Sequence, residues 1–412
     1  MTASLQTAQK SETQAPTSLR IIISVMLFLS YMLFAVAWNW GDLYVRSLGF
    51  SASRTALMTN AITIAQVVGS LVAANVLLKL GPRWAFTVAS GLIVFGGFVA
   101  VTDLFPVIFV IRFILGLGGA LMVVLLSGIV ARLLSGRALQ IANGVNSVAF
   151  NTGLAVALTF GMRMNENPTF AVVLAACLSL IILILWLFVS RIGLRGAVQA
   201  QQSTDDSYSM RDGFRNWFNW VFALAYTGLL SYYIVAFTFM DASTIRWVVY
   251  AGVVGALSGT LVSARVEDRH KPLVVVVCGA LQIVAAASVL ALADHRLAVL
   301  VGIILGLVIF FPMPFFVQLA FIRPNVTPRQ IAVTFSIFWA VSYAGSVVFI
   351  QFFAWIADAT GGLGSDGTPV SVLPMIFIVI VESTFLIGTF MLWRWFAEQS
   401  AQPALVSEVT EL

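Results

Sequence analysis

The run PVIFVIRFILGLGGALMVVLLSGIVA occupies residues 106–131 and contains a single charged side chain, that of Arg112. The hydrocarbon core of a bilayer is about 30 Å thick, and a helix needs about 20 apolar residues to cross it. Residues 106–131 satisfy that length. A barrel strand is excluded, because such strands alternate polar and apolar residues over only about ten positions. The run therefore predicts a membrane-spanning helix.

The composition of the whole chain agrees with such a helix. Of its 412 residues, 60% are hydrophobic and only 9% are charged. In a soluble domain about a quarter of the residues are charged, so ordinary soluble and disordered classes are excluded. A net charge of +5 without a basic block indicates no nucleic-acid partner. Cys177 and Cys278 each lie inside an apolar run, which indicates no disulfide framework.

Gly, Pro and charged residues divide the chain into twelve apolar stretches of similar length. Each stretch is expected to be a helix, because lipid offers no hydrogen-bond partner to free backbone groups. The predicted spans 1 to 12 cover residues 21–40, 55–78, 84–103, 106–131, 138–162, 169–189, 217–239, 245–264, 272–293, 297–322, 331–357 and 372–393. The polar leader, residues 1–20, has no cleavage site, so we expect it to be retained.

The distribution of basic residues predicts the orientation. With a cytoplasmic N-terminus, sixteen Lys and Arg residues fall on the cytoplasmic side and five on the other side. Arg112 is the remaining one of the 22 and lies within span 4. Because basic residues favour the cytoplasmic side, both termini are predicted to be cytoplasmic in a multi-pass protein of the bacterial inner membrane.

Two halves of the chain resemble each other. Ser30-Tyr31 in span 1 recurs as Ser231-Tyr232 in span 7, and residues 114–117 in span 4 recur as residues 304–307 in span 10. This indicates a duplicated six-helix unit in an all-α fold with two pseudo-symmetric bundles. The predicted parts are an N-terminal tail (1–20), an N-terminal bundle (21–189), a central cytoplasmic loop (190–216), a C-terminal bundle (217–396) and a C-terminal tail (397–412).

Together with this organisation, two short motifs resemble the major facilitator superfamily (MFS) of secondary transporters. Residues 112–120, RFILGLGGA, are similar to the family's motif of an Arg followed by a Gly-rich face in span 4. Between spans 2 and 3, Lys79, Gly81 and Arg83 match the family's basic turn, while Leu78 stands where an acid is usual. The resemblance covers residues 20–396 and implies the MFS fold, with Lys79, Gly81 and Arg83 as candidates for a cytoplasmic gate.

The sequence of span 5 bears on which class of transporter within the family this chain resembles. The family's antiporter motif in this span, a Gly-Pro pair in a Gly-rich stretch, is absent, and residues 143–153 read NGVNSVAFNTG instead. Its absence counts against a drug/proton antiporter. The Asn- and Gly-rich sequence resembles the branch of the family that takes up small anions such as nitrate and cyanate.

Two charged residues lie well inside predicted spans. An Arg at a helix centre costs about 2.5–3.5 kcal/mol, so Arg112 is expected to face a cavity or a partner, where it would contact an anion or assist proton transfer. Its alternative is to reach the outer headgroups or the carbonyl groups of span 1. Glu382 in span 12 would favour its protonated form in apolar surroundings and is a possible proton carrier. Its alternative is a neutral acid hydrogen-bonded to a neighbouring helix.

Uncharged polar side chains recur at helical spacing in several spans. Converging amide, phenol and indole groups could replace the hydration shell of a small solute, although such groups also join helices.

Asp42 and Asp241 lie at matching ends of spans 1 and 7 and are expected to cap helices or face water. Pro312 and Pro314 predict a kink in span 10. The candidates for substrate binding or coupling are Tyr31, Gln66, Arg112, Asn146, Asn151, Tyr232, Trp339 and Tyr343.

No sequence motif indicates catalysis. A phosphate-binding loop is absent, which excludes ATP as the driving force, and no metal site or cofactor is expected. The expected function is alternating-access transport of a small polar or anionic solute, coupled to proton uptake, by a monomer in the lipid bilayer. One alternative is proton-coupled efflux of an amphipathic compound, suggested by an aromatic content of 12%. The other is a membrane sensor or assembly subunit that transports nothing.

Overall fold

The structure is a computed structural model, and it describes residues 16–134, 136–193, 208–240, 242–292, 297–324, 326–364 and 367–410. Within these ranges the regular elements are α-helices and two short 3-10 helices, Gly96–Val101 and Asp268–His270, joined by turns and irregular segments. Leu363 and Pro369 form an isolated β-bridge. The helices are α1 (Thr17–Ser47), α2 (Ala52–Phe95), α3 (Phe105–Leu133), α4 (Gly136–Ser147), α5 (Ala149–Asn165), α6 (Pro168–Gly193), α7 (Met210–Arg215), α8 (Trp217–Phe239), α9 (Ala242–Ser263), α10 (Lys271–Ala291), α11 (Ala298–Phe310), α12 (Met313–Gln318), α13 (Pro328–Ala359) and α14 (Leu373–Thr410).

The all-helical membrane fold expected from the sequence is confirmed. Among the described residues, eleven helical segments are long and apolar enough to cross a bilayer, and Ala149–Gly161 is a shorter apolar helix. That shorter helix belongs to predicted span 5, which is not one continuous helix but α4 followed by α5. The hydroxyl groups of Ser147 and Thr152 hydrogen-bond to the carbonyl oxygens of Gly144 (2.7 Å) and Val148 (2.8 Å). Such local bonds compete with a regular helix.

The helices break at two further places, one between predicted spans and one within span 10. Gly81 has a φ of 70°, a left-handed conformation that suits a residue without a Cβ, and it kinks α2 between predicted spans 2 and 3. Pro312 separates α11 from α12, so the kink predicted in span 10 is confirmed. Pro314 instead lies in the first turn of α12, where its missing N–H removes no helical bond.

The helices form two compact units. The first takes the described residues of 1–48 and 68–206, and the second takes those of 49–67 and 207–412. The first part of α2 therefore groups with the second unit. There the carboxylate of Asp358 in α13 accepts hydrogen bonds from the backbone N–H groups of Ala52 and Ser53, both at 3.0 Å, and from the Ser53 hydroxyl. A carboxylate is favoured at a helix N-terminus, because four N–H groups there lack helical partners.

Small residues bring helices into close contact within each unit. In the first unit, Gly153 of α5 lies against the Met32 carbonyl of α1, and a side chain at residue 153 would overlap that carbonyl. In the second unit, Gly228 of α8 lies in the same way against the Val381 carbonyl of α14. Close backbone contact through small residues is the usual source of helix association in a bilayer, where no hydrophobic force acts between helices.

Candidate functional site

An ion pair lies buried in the first unit. Arg112 of α3 donates a hydrogen bond from Nη2 to Oδ1 of Asp42 in α1, and both side chains are 1% exposed. Gly41 makes room for the guanidinium, because a Cβ at residue 41 would lie 2.8 Å from Arg112 Nη1. Breaking such a pair by removing one partner costs about 3–5 kcal/mol, since the other charge stays buried.

This geometry corrects two expectations from the sequence. Asp42 neither faces water nor caps the end of a helix, because α1 continues past the predicted span end to Ser47 and buries the carboxylate. Arg112 does not extend to the outer headgroups, because its side chain is buried against α1. Its partner there is a carboxylate. A sequence signal for the pair did exist: Asp42 follows Tyr31 by about three helical turns and so shares its helix face.

Aromatic rings line that same face of α1. Tyr31 stacks on Phe34 at 5.9 Å between ring centroids, and Phe34 meets Trp38 at 5.7 Å. Phe150 of α5 contacts Tyr31 at 5.9 Å and Trp38 at 5.8 Å. Gly119 of α3 lies against the ring of Phe34, where any side chain at residue 119 would overlap it. The Gly-rich face next to Arg112 therefore lets α1 approach α3 closely.

The amide candidates of span 5 are buried in the same unit. Asn151 is 4% exposed and follows Phe150, which contacts the aromatic face of α1. Asn146 is 9% exposed, and its Nδ2 has no hydrogen-bond partner among the described residues. The first unit thus holds Tyr31, Arg112, Asn146 and Asn151, with an acid that the sequence did not single out for binding.

The second unit holds the other four binding candidates. Trp339 and Tyr343 of α13 stack on each other at 5.7 Å, and Tyr226 of α8 meets Trp339 edge-on at 5.8 Å. Gln66 of α2 is 1% exposed. Asn60, a polar residue six positions before Gln66 in the same helix, donates to the Val347 carbonyl and to Gln351 Oε1, both at 3.2 Å. The Asn60 side chain therefore joins α2 to α13.

Tyr232 and Glu382 are both completely buried in the second unit. Tyr232 lies on α8 and Glu382 on α14, two helices that pack against each other. Neither carboxylate oxygen of Glu382 has a hydrogen-bond partner among the described residues, and the same holds for the Tyr232 hydroxyl. The expected hydrogen bond from Glu382 to a neighbouring helix is therefore not found within the described part of the chain.

The gate candidates surround the turn at Gly81. Lys79 is exposed, and Arg83 is partly buried with its guanidinium over the Trp84 ring at 5.1 Å. The indole N–H of Trp186 in α6 donates to the Arg83 carbonyl at 3.1 Å, which ties the turn to α6. Asp241 lies outside the described residues.

The sequence and the fold have known relatives. A family model described as Major Facilitator Superfamily matches residues 21–350. An uncharacterized protein of Campylobacter jejuni is 24% identical over 228 residues, which cover 54% of this chain and 70% of that protein. The solved nucleoside transporter NupG has a TM-score of 0.65 at 13% identity, over 92% of this chain and 99% of its own. The xylose transporter XylE from E. coli, in a partially occluded inward-open conformation, has a TM-score of 0.66 at 12% identity, over 92% of this chain and 98% of its own.

The two structural likenesses agree with the family match in describing a multi-pass helical transporter fold. The Asp42–Arg112 pair and the eight binding candidates lie within the matched residues 21–350, whereas Glu382 lies beyond them. The chain belongs to the major facilitator superfamily and is a membrane transporter, not an enzyme.

Proposed function

We propose that this protein takes up a small, uncharged polar solute together with a proton, by alternating access between two six-helix halves. The observation that carries the proposal is the buried Asp42–Arg112 pair between α1 and α3. The proposed setting is the bacterial inner membrane, with both termini cytoplasmic and the protein acting as a monomer.

The pair can couple a proton to a solute. Protonation of Asp42 would break the ion pair and leave Arg112 as an unbalanced charge in a buried place. A solute that accepts hydrogen bonds from the guanidinium would stabilise this protonated state. Proton binding would strengthen solute binding by the same free energy by which the solute strengthens proton binding, because coupling between two binding sites is reciprocal.

The same pair favours a neutral solute over an anion. Asp42 balances the charge of Arg112, so the pair itself carries no net charge. The remaining candidates offer phenol, indole and amide groups, which stack on rings and hydrogen-bond to hydroxyl groups. Nucleosides and sugars have these features, and they are named for NupG and XylE.

The two rival functions have less support. Efflux of amphipathic compounds would use free aromatic surface, but Phe222, Phe316 and Phe338 pack on one another at 4.4–6.1 Å and are buried. A sensor that transports nothing would be expected to fill its interior with apolar side chains. A buried ion pair is costly to keep and is not needed for such a role.

Uptake by proteoliposomes tests the proposal. With labelled nucleosides, sugars and small anions, we expect a neutral solute to accumulate only under a proton gradient. Asp42→Asn should abolish accumulation while solute exchange at equilibrium continues, and the exposed-loop variant Asp103→Asn should behave as the natural protein does. Accumulation that survives dissipation of the proton gradient would refute proton coupling.

A further inference from the structure

Three buried polar side chains of the second unit play no part in the Asp42–Arg112 pair. They are Tyr232 of α8, Gln282 of α10 and Glu382 of α14, and each is 0% exposed. Their helices come from spans 7, 9 and 12. A shared role for these side chains goes beyond the proposed function and does not depend on which solute the protein carries.

The helix contacts place Gln282 level with Glu382, and Tyr232 within about one helical turn of them. Gly228 of α8 lies against the Val381 carbonyl, and Gly279 of α10 lies against Phe385 and Leu386, both on α14. In the predicted topology α14 runs antiparallel to α8 and α10. One turn beyond Gly279 therefore leads to Gln282, and one turn back from Phe385 leads to Glu382, so these two residues are level. One turn beyond Gly228 leads to Tyr232, which lies about one turn from the level of Glu382.

Four polar atoms of these three side chains lack partners. The two carboxylate oxygens of Glu382, the Tyr232 hydroxyl and Gln282 Oε1 are buried and have no hydrogen-bond partner among the described residues. Each such atom costs about 1–3 kcal/mol. Because native proteins rarely leave buried polar groups unpaired, several in one place indicate that something binds there.

The amide of Gln282 is held in one orientation. Its Nε2 donates to the Val308 carbonyl of α11 at 2.8 Å. In a regular helix that carbonyl would accept from the residue four positions later, which is Pro312 and has no N–H. Since a carbonyl only accepts, the nitrogen must be the atom that faces α11, and Oε1 remains as an acceptor. Gln282 thereby links the break in span 10 to the level of Glu382.

We propose that Glu382, Tyr232 and Gln282 form an internal proton-binding site in the second unit. When the proton is bound, the acid donates it to Gln282 Oε1 or to the Tyr232 oxygen. When the proton leaves, the Tyr232 hydroxyl donates to the carboxylate. Proton occupancy in span 12 is then linked through Gln282 to the Pro312 break in span 10.

A proton suits the site better than a metal cation does. The site has one carboxylate, which a single proton neutralises without a complete shell of oxygen ligands. The other titratable groups on helices packed against α14 are engaged elsewhere or lie apart. Tyr226 packs on Phe338, Tyr233 on Phe310 and Tyr343 on Trp339, and Cys278 is partly exposed. Lys271 and Asp358 lie at helix ends. Arg394 lies about three turns beyond Glu382 on α14, is exposed and faces Glu398.

Infrared spectroscopy of the full chain in lipid nanodiscs tests the site. We expect a protonated-carboxyl stretching band that disappears as the pH is raised and is absent from Glu382→Gln. Tyr232→Phe and Gln282→Leu should shift that band, because each removes one of its hydrogen-bond partners. The matched control Tyr226→Phe, at another buried tyrosine of α8, should leave the band unchanged.

Hydrogen exchange tests the link to span 10. The protection factors of the amides at residues 309–311 and 313, which remove the intrinsic pH dependence of exchange, should change with pH in the natural protein and become independent of pH in Glu382→Gln and in Gln282→Leu. The site is refuted if Glu382→Gln leaves the carboxyl band in place, if Tyr232→Phe and Gln282→Leu fail to shift it, or if Na⁺ at constant pH removes it as a pH rise does. Asp42→Asn should retain the band, so a failure of the proposed coupling can be told apart from a failure of this site.

Discussion

Arg112 shows how far a single residue can be interpreted from sequence. Its position inside an apolar run indicates a functional role, because a lone charge in a bilayer needs a partner. The sequence does not identify that partner, since Asp42 stands next to the end of the apolar run of span 1, where a solvent-exposed acid is expected. Only the length of α1 and the approach of α3 reveal that Asp42 is 0% exposed.

Replacing Arg112 by Ala should abolish transport and lower stability. The expected loss is about 3–5 kcal/mol in the free energy of unfolding, because Asp42 remains buried without its counter-charge. Uptake in proteoliposomes and thermal unfolding in detergent measure the two effects. The double variant Asp42→Asn with Arg112→Gln should recover stability but not uptake. Normal uptake by Arg112→Ala would remove Arg112 from the mechanism.

At the scale of elements, the short helix α7 shows how the central loop is attached to the second unit. Ser209 begins α7 with a capping box, in which its hydroxyl and backbone N–H pair with Asp212. Gly213 lies against Val333 and Ile337 of α13, and its carbonyl accepts from Asn219 Nδ2 at 2.9 Å. Asn219 Oδ1 accepts in turn from Thr334 at 2.8 Å. The loop end is therefore bonded to both α8 and α13.

The cap of α7 should weaken in acid. Hydrogen bonds from the Ser209 side chain and backbone lower the pKa of Asp212 from its ordinary 3.8, with smaller contributions from Arg215 and Arg211. A carboxyl whose pKa is lower in the folded state stabilises that state above its unfolded pKa. The stabilisation is lost as the pH falls below about 3.8 toward the folded value. The protection factors for amide exchange at residues 209–216, which remove the intrinsic pH dependence of exchange, should fall over that range.

Asp212→Asn supplies the control for this effect. Exchange in that variant should be faster than in the natural protein at neutral pH and should lack the acid-dependent step. A natural protein whose exchange in α7 shows no acid step would contradict the role of the cap. Replacing Arg211 and Arg215 by Gln should change this acid-dependent loss of protection only slightly, because both arginines lower the pKa of Asp212 less than the hydrogen bonds from Ser209 do.

Helix breaks are only partly predictable at this scale. The break at Pro312 follows from the covalent structure of proline, which lacks a backbone N–H in any context. The break at Val148 follows no such rule, because Asn, Ser and Gly tolerate a helix or interrupt it according to what they contact. The sequence therefore predicts one helix for span 5 over residues 138–162, while α4 and α5 divide it.

For the whole molecule, labelling of introduced cysteines tests the number of spans and their orientation. In a background with Cys177→Ser and Cys278→Ser, Lys79→Cys should react with a membrane-impermeant maleimide only from the cytoplasmic side. Glu166→Cys should react only from the outside, because the interrupted span 5 is predicted still to cross the bilayer. Both positions are exposed on the protein. Reaction of the two from the same side would contradict the twelve-span topology.

The sequence by itself indicated a membrane protein. It also identified the apolar stretches that are long enough to span a bilayer, and the family that the chain resembles. These properties follow from the solvent preference of each residue and from short motifs, both of which are local. The tertiary structure alone decided that Asp42 pairs with Arg112, seventy positions away, and that Gln282 lies at the level of Glu382. The physical reason is that helix length and register, set by glycine contacts and breaks, determine which distant polar groups meet in the interior.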